Sequence, residues 1–224
     1  KKIDTCAVLT ADHGGHDLPR RLIIQGVPNA ERIDPMLNAK GIAAQVRENL
    51  GIETEDQLLY ADSPFGDYYV SLNLAPEQKA RVKAEAMRLL RAHRQVQTIV
   101  DGADLEDMPM PTGAVEEWSL AERARASYHP DRSGDFIVLL KRAVTPIAST
   151  ARGYVATHGS PWDYDRRVPI LFWRQGLQHF EQPMSVKTVD IAPTLASMAG
   201  IKIPADEIDG RCLDIDNGPG SNCK

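Results

Sequence analysis

The stretch VLTADHGGHD, from Val8 to Asp17, joins a short apolar segment to two histidines, two aspartates and a pair of glycines. The apolar residues 7–9 are typical of a short buried strand, and a pair of glycines ends it. Asp12 and His13 therefore follow directly after a strand. Ligands of open α/β sheets bind at the carboxyl ends of strands, so this position favours a ligand site.

A second stretch, ARGYVATHGSPWDYDRRVPILFW at residues 151–173, shows the same arrangement. Residues 153–157 are predicted to form a strand that leads to His158 and a Gly-Ser-Pro turn. Residues 168–173 are predicted to form the next strand. A histidine thus again stands where a strand ends.

Strands and helices alternate between these two stretches. The clearest helix is PEQKARVKAEAMRLLRAHR, with Pro76 in its first turn, Glu77 early and basic residues late. A second helix, NAKGIAAQVRENLG, is predicted to end at Gly51. The alternation predicts a small α+β insertion.

Charge and hydropathy exclude two classes of partner. The formal net charge of −5 gives no basic surface for nucleic acid. No apolar run approaches the ~18 to 20 residues of a membrane-spanning helix, and the first residues lack the apolar core of a signal peptide. We therefore expect a soluble globular protein that binds neither nucleic acid nor membrane.

The three cysteines are unevenly placed. Cys212 and Cys223 enclose LDIDNGPGSN, a loop rich in Gly, Pro and Asn that can fold back on itself. A disulfide between them is predicted and would indicate an oxidising compartment, with two free thiols as the alternative. Cys6 is predicted to be a small core residue.

Four segments in this order resemble the alkaline phosphatase superfamily: TADHGGHD, THGSPWDYDRRVPILFW, TVDIAPTLASMAGI and DGRCLDI. The similarity is greatest to the carboxy-terminal half of the monomeric bacterial alkaline phosphatases of the phosphodiesterase-like branch. It implies an α/β fold with a central, mostly parallel sheet flanked by helices. Residues 1–38 and 149–224 would form this core, and residues 39–148 the inserted α+β subdomain.

The resemblance also implies a site with two zinc ions. Asp12 and His13 correspond to ligands of one zinc, and His158 corresponds to a ligand of the other. Carboxylate and imidazole are ligands that Zn²⁺ accepts, and catalytic zinc sites keep a position open for water or substrate. Two such ions can activate a nucleophile and stabilise the leaving oxygen in phosphoryl transfer.

Four further residues are candidates near this site. His16 and Asp17 would orient His13, and Asp163 and Asp165 would shape the site mouth or support His158. For each of them the alternative is a structural one, because Asp and His after Gly or Pro commonly satisfy turns.

Other parts of the superfamily's site have no counterpart in this sequence. A Thr or Ser nucleophile, an aspartate beside it and an Asp-x-x-x-His pair all precede the Asp-His-Gly segment in the family. No catalytic residue is therefore assigned here, and we expect a missing amino-terminal segment to supply the nucleophile and the remaining ligands. The chain alone is then expected to be inactive.

The resulting expectation is a portion of a zinc-dependent alkaline phosphatase that hydrolyses small phosphate monoesters through a phosphoenzyme. The family implies a monomer in the periplasm or outside the cell. One alternative is a phosphodiesterase or nucleotide pyrophosphatase of the same superfamily. The other is a non-catalytic metal-binding module.

Overall fold

A computed structural model describes residues 5–149, 153–204, 206–216, 220–221 and 223. In these residues the strands are β1 (Cys6–Leu9), β2 (His16–Asp17), β3 (Glu31–Arg32), β4 (Leu59–Tyr60), β5 (Gly66–Val70), β6 (Val96–Asp101), β7 (Phe136–Leu140), β8 (Val144–Thr145), β9 (Ala156–Thr157) and β10 (Leu171–Arg174). The α-helices are α1 (Pro19–Ile24), α2 (Ala39–Leu50), α3 (Pro76–Ala92), α4 (Gly102–Asp107), α5 (Leu120–Ser127), α6 (Asp163–Arg166) and α7 (Ile191–Met198). Short 3₁₀ helices span Pro35–Leu37 and Thr188–Asp190.

The chain divides into two compact units. The first unit comprises the described residues of 1–14, 112–118 and 167–224. The second unit comprises those of 15–111 and 119–166.

A four-stranded sheet in the order β4-β5-β7-β6 forms the centre of the second unit. β7 is antiparallel to both of its neighbours, so β5 and β6 run parallel to each other. The long helix α3 connects β5 to β6 in sequence and passes over β7, which is the connection expected between two parallel strands of one sheet.

β7 is buried at every residue because helices cover both faces of the sheet. Phe136, Val138 and Leu140 belong to the larger core, together with side chains of α2 and α3. Ile137 and Leu139 point the other way and pack with Leu105 of α4 and Ala124 of α5. The alternation of side chains along a strand thus divides one apolar run, FIVLL, between two core clusters.

The helix boundaries follow local sequence signals. α3 begins at Pro76, whose missing N–H costs nothing in the first turn, and α2 ends before Gly51, which adopts a φ of 61°. Both predicted boundaries are confirmed. α5 begins with a capping box, in which Ser119 and Glu122 each accept a hydrogen bond from the other's backbone amide.

The first unit contains the ladder between β1 and β10, which are antiparallel, with Cys6 opposite Arg174 and Leu9 opposite Leu171. On one face of this ladder Leu9, Leu171 and Trp173 are exposed by 64%, 56% and 59%. The Sγ of Cys6 lies 3.7 Å from the sulfur of Met198 in α7.

The predicted α/β architecture is confirmed. In the described residues, however, only the β3–β8 ladder is parallel, so these residues alone do not show the predicted mostly parallel sheet. Strand direction depends on which distant segments pair: β1 pairs with β10 and β2 with β9 in antiparallel register, and the neighbours of the four-stranded sheet are antiparallel too. The boundaries predicted for the inserted subdomain, at residues 39–148, stay a prediction.

The predicted disulfide between Cys212 and Cys223 is present, and Cys6 is a free thiol. Within the part of the chain that the structure describes, none of the helices has the length and apolarity needed to cross a lipid bilayer.

Candidate functional site

Asp12 and His13 lie just beyond the end of β1, in the first unit. The Nε2 atom of His13 is 3.4 Å from Oδ2 of Asp12, and the amide of His13 donates a hydrogen bond of 3.1 Å to Oδ1 of Asp12. The side chains of His13 and Asp12 are 42% and 87% exposed, so both can reach a metal ion from solvent. Nε2 of His13 and Oδ2 of Asp12, the two candidate ligand atoms, thus lie close together and are both accessible.

This geometry fits two ligands of one zinc ion. At Zn–N and Zn–O lengths of about 2.1 Å and a tetrahedral angle, two ligand atoms are separated by roughly 3.4 Å. The Nδ1 atom of His13 lies 2.6 Å from the carbonyl oxygen of Gly14. Because a carbonyl oxygen only accepts, Nδ1 carries the proton, and in the neutral ring Nε2 keeps the lone pair that a metal requires.

Two donors do not make a complete zinc site. Among the described residues, no group of three or more His, Cys, Asp or Glu side chains is placed to hold a metal ion. The chemistry and separation of the Asp12–His13 pair therefore fit one edge of a zinc site, which further ligands would have to complete.

His158 lies in the second unit, in a turn that we define as residues 157–160 and call the His158 turn. Thr157 at one end is paired with His16 in the β2–β9 ladder. At the other end, the amide of Ser160 donates a hydrogen bond of 2.7 Å to Oδ2 of Asp165. Gly159 has a φ of 102°, a conformation that favours glycine, and the side chain of His158 is exposed.

His16 and Asp165, two of the four additional candidates, lie together in the interior of the second unit. They are 8% and 5% exposed, and Nδ1 of His16 lies 3.9 Å from Oδ1 of Asp165. Neither of these two atoms has a hydrogen-bond partner, which is uncommon for buried polar atoms. Burial works against ionisation of Asp165, but His16 and Ser160 outweigh it and lower the pKa of the carboxyl.

Asp17 and Asp163 have simpler surroundings. Asp17 accepts a hydrogen bond of 2.8 Å from Gln25 and lies 3.1 Å from Arg21, one turn along the chain. Asp163 lies 3.1 Å from Arg123 and 3.5 Å from Arg166. The Asp17–Arg21 pair is partly exposed and contributes little free energy, whereas Asp163 pairs with the largely buried Arg123. Both carboxylates are engaged by neighbouring side chains, which matches the structural alternative more than a role in the site.

Two residues with clear roles were not found from the sequence. Arg123 of α5, whose side chain is 11% exposed, donates a hydrogen bond of 2.8 Å to the carbonyl of Pro161 and thereby supports the segment after the His158 turn. Asp190 is 1% exposed and accepts from the amides of Lys187 and Arg211. The Arg123–Pro161 and Asp190–Arg211 contacts join residues that are distant in sequence, so no local pattern indicates them.

An open cavity of about 660 Å³ in the second unit is a separate feature. Arg94, Lys141 and Arg142 line it, together with Glu31, and none of the predicted site residues does. The guanidinium of Arg94 is 2.7 Å from Glu31 and lowers the pKa of that carboxyl. Because none of the predicted ligands lines this cavity, it is separate from the candidate site.

Comparisons with known proteins give a consistent result. No family model matches the chain. It is 50% identical, over 99% of its length, to alkaline phosphatase PhoK of a Sphingomonas species. It is 47% identical, over 96% of its length, to alkaline phosphatase PhoD of Zymomonas mobilis. The chain spans only 40% and 37% of the lengths of these two relatives.

The fold is similar to that of a solved structure. Wild-type alkaline phosphatase PafA superposes with a TM-score of 0.73 at 21% sequence identity, and the match covers 93% of this chain and 37% of that one. At this identity the likeness concerns the fold, which is the fold expected from the sequence motifs.

Proposed function

We propose that this chain, a homologue of part of the alkaline phosphatases, is a portion of a zinc-dependent phosphomonoester hydrolase. The observation that carries the metal assignment is the 3.4 Å separation of the Asp12 and His13 ligand atoms, which suits one tetrahedral zinc ion. The similarity to alkaline phosphatases over nearly the whole chain supports the reaction type.

In this proposal each ligand has one task. Asp12 and His13 hold one zinc, and His158 holds the other, through an exposed imidazole at the end of β9. When bound, two zinc ions supply Lewis-acid stabilisation of the phosphoryl oxygens and of the leaving group. The carbonyl of Gly14 keeps the proton on Nδ1 of His13, so that Nε2 remains available as a ligand.

The proposal places the nucleophile, a Thr or Ser, and the remaining ligands outside this chain, and the chain alone would then be inactive. Its main partner would be the rest of the same polypeptide. The lengths of PhoK and PhoD, of which this chain spans 40% and 37%, support that partner. So does the apolar face of Leu9, Leu171 and Trp173, because large exposed apolar patches mark surfaces that pack against other protein.

We further propose a monomer in the periplasm or outside the cell. The disulfide between Cys212 and Cys223 supports this location, because disulfides persist in oxidising compartments. The substrate would be a small phosphate monoester.

The test uses the full-length natural protein, with zinc measured by mass spectrometry and rates measured on 4-nitrophenyl phosphate and bis(4-nitrophenyl) phosphate. We expect bound zinc, faster hydrolysis of the monoester, and loss of zinc and activity in His158→Ala. The matched control is His129→Ala, an exposed histidine beside Asp131. Unchanged zinc content in His158→Ala would remove His158 from the ligand set. Faster hydrolysis of the diester would favour the phosphodiesterase alternative, and bound zinc without activity on either ester would favour the binding module.

A further inference from the structure

We propose that His16 and Asp165 form a buried positioning pair that holds the His158 turn and thereby places the His158 imidazole. This inference rests on the proposed function, in which His158 is a zinc ligand. It concerns two residues that do not contact a ligand themselves.

The pair holds the turn at both ends. At the first end, the backbone of His16 pairs with that of Thr157, the residue before His158. At the second end, Oδ2 of Asp165 accepts the 2.7 Å hydrogen bond of the Ser160 amide. The backbone of His16 and the carboxylate of Asp165 thus contact the residues on either side of His158 and Gly159.

One atom of each side chain, Nδ1 of His16 and Oδ1 of Asp165, lies close to the other between these two ends. Nδ1 of His16 and Oδ1 of Asp165 face each other at 3.9 Å, which is beyond direct hydrogen-bond distance. Both side chains are at least nine-tenths buried, and neither atom has another partner. Buried polar atoms without partners are costly, so a small approach of Nδ1 of His16 to Oδ1 of Asp165 is favoured.

Aromatic packing keeps the imidazole of His16 in this orientation. The ring of Tyr164 lies 4.6 Å from it, centroid to centroid, and Nε2 of His16 lies 3.4 Å from Oγ1 of Thr145. Tyr164 is itself held in place. Its hydroxyl accepts a hydrogen bond of 3.3 Å from the amide of Ala143, and the backbone carbonyl of Tyr164 accepts one of 2.8 Å from the amide of Gly15. The imidazole of His16 is thus held by contacts with the Tyr164 ring and with Oγ1 of Thr145.

Gly15 lies where two backbone segments approach closely. A Cβ atom at Gly15 would lie 3.2 Å from the carbonyl oxygen of Thr157. Gly15 therefore allows His16 and Thr157 to pair closely. This accounts for the second of the two glycines in DHGGHD.

The experiment compares Asp165→Asn, His16→Leu and His16→Asn in the full-length protein. Hydrogen exchange of the peptide covering the His158 turn is measured first, because it needs neither metal nor activity. We expect exchange of the Ser160 amide, which donates to Asp165, to be about tenfold faster in Asp165→Asn and His16→Leu. His16→Asn keeps an N–H near the position of Nδ1 and should restore most of the protection.

The matched control is Asp135→Asn. Asp135 also accepts from a backbone amide, that of Val70 at 2.7 Å, and pairs with Lys79 at 3.0 Å, in the sheet of the second unit. It should lower stability without changing exchange in the His158 turn. Equal exchange of the turn in all of these variants and the wild type would overturn the inference.

Zinc affinity is the second readout. Loss of a residue that orients a ligand weakens zinc binding by about 10- to 100-fold, and we expect this in Asp165→Asn and His16→Leu but not in Asp135→Asn. Faster exchange with unchanged zinc affinity would show that the pair does not position His158 as a ligand, and would overturn the inference. If the wild-type protein binds no zinc, the proposed function fails, and exchange alone decides whether the pair positions the turn.

Discussion

The carboxylate of Asp190 accepts a hydrogen bond of 2.9 Å from the amide of Arg211, 21 residues later in the sequence. Its other oxygen accepts one of 2.8 Å from Lys187. The neighbouring Thr194 donates to the carbonyl of Asp190 and accepts from the amide of Leu213 at 2.9 Å. Two of the segments that carry the family resemblance, TVDIAPT and GRCL, are therefore joined by buried side-chain to backbone hydrogen bonds.

Replacement of Asp190 should separate these segments. Asp190→Ala leaves two backbone amides without an acceptor, and we expect it to lower the free energy of unfolding by about 3 kcal/mol. Asp190→Asn keeps one acceptor oxygen and should lose about half of that amount. Urea unfolding of the full-length protein measures both changes. If Asp190→Ala is as stable as the wild type, the carboxylate does not anchor Arg211.

Gly134→Ala should disturb the sheet of the second unit. A Cβ atom at this position would lie 2.6 Å from the carbonyl oxygen and 2.7 Å from the amide nitrogen of Tyr68, so β5 would have to shift. We expect a loss of about 3 kcal/mol in the free energy of unfolding, which is typical of overpacking.

Gly220→Ala is the control for this change, because a Cβ atom there meets no atom within 4 Å. Its unfolding free energy should equal that of the wild type. Thermal unfolding followed by circular dichroism is sufficient, and equal midpoints for the two variants would contradict the expected clash.

Stability should decline at high pH because of Tyr68. Burial raises the pKa of this phenol well above its ordinary value near 10, so the unfolded chain loses the proton first. Tyr68 therefore lowers the free energy of unfolding by about 1.4 kcal/mol per pH unit above pH 10, until its folded pKa is reached, and has no effect on the slope below pH 10.

Tyr68→Phe should make this decline less steep, and the part that remains belongs to other tyrosines whose pKa is raised by burial, such as Tyr164. The substitution also deletes the hydrogen bond of 2.8 Å to the carbonyl of Leu37, so the variant is less stable near neutral pH. Urea unfolding at pH 8, 10 and 11 separates the two effects. The exposed Tyr60 provides a control, since Tyr60→Phe should keep the wild-type slope. A wild-type slope in Tyr68→Phe would contradict the assignment.

The disulfide should contribute a measurable part of the stability. Cys212 and Cys223 are 11 residues apart, and closure of a loop of this size stabilises a fold by about 3 kcal/mol in the chain-entropy model. We expect dithiothreitol to lower the free energy of unfolding by that amount. The double variant Cys212→Ala/Cys223→Ala should be insensitive to the reductant, whereas Cys6→Ala should remain sensitive. Reductant sensitivity in the double variant would indicate a different pairing.

Sequence patterns predicted the positions of several helices and strands of this protein. Pro76 and Gly51 predicted the start of α3 and the end of α2, because both residues restrict the backbone whatever surrounds them. The motifs around Asp12, His158 and Asp190 indicated the similarity to alkaline phosphatases. Asp12 and His13 are neighbours in the chain, so the separation of their side chains is a local property. The strand before His158 was predicted at the right place, although it is shorter than expected.

Only the tertiary structure decided the rest. The strand directions depend on which segments pair, and pairing joins β1 with β10 across more than 160 residues. The buried contact of His16 with Asp165, and that of Asp190 with Arg211, likewise depend on chain crossings that carry no periodic signal. Sequence determines backbone preferences and the kinds of side chain available at each position. The burial of a side chain and its hydrogen-bond partners are decided in the folded chain, because they depend on residues that approach each other only when the fold forms.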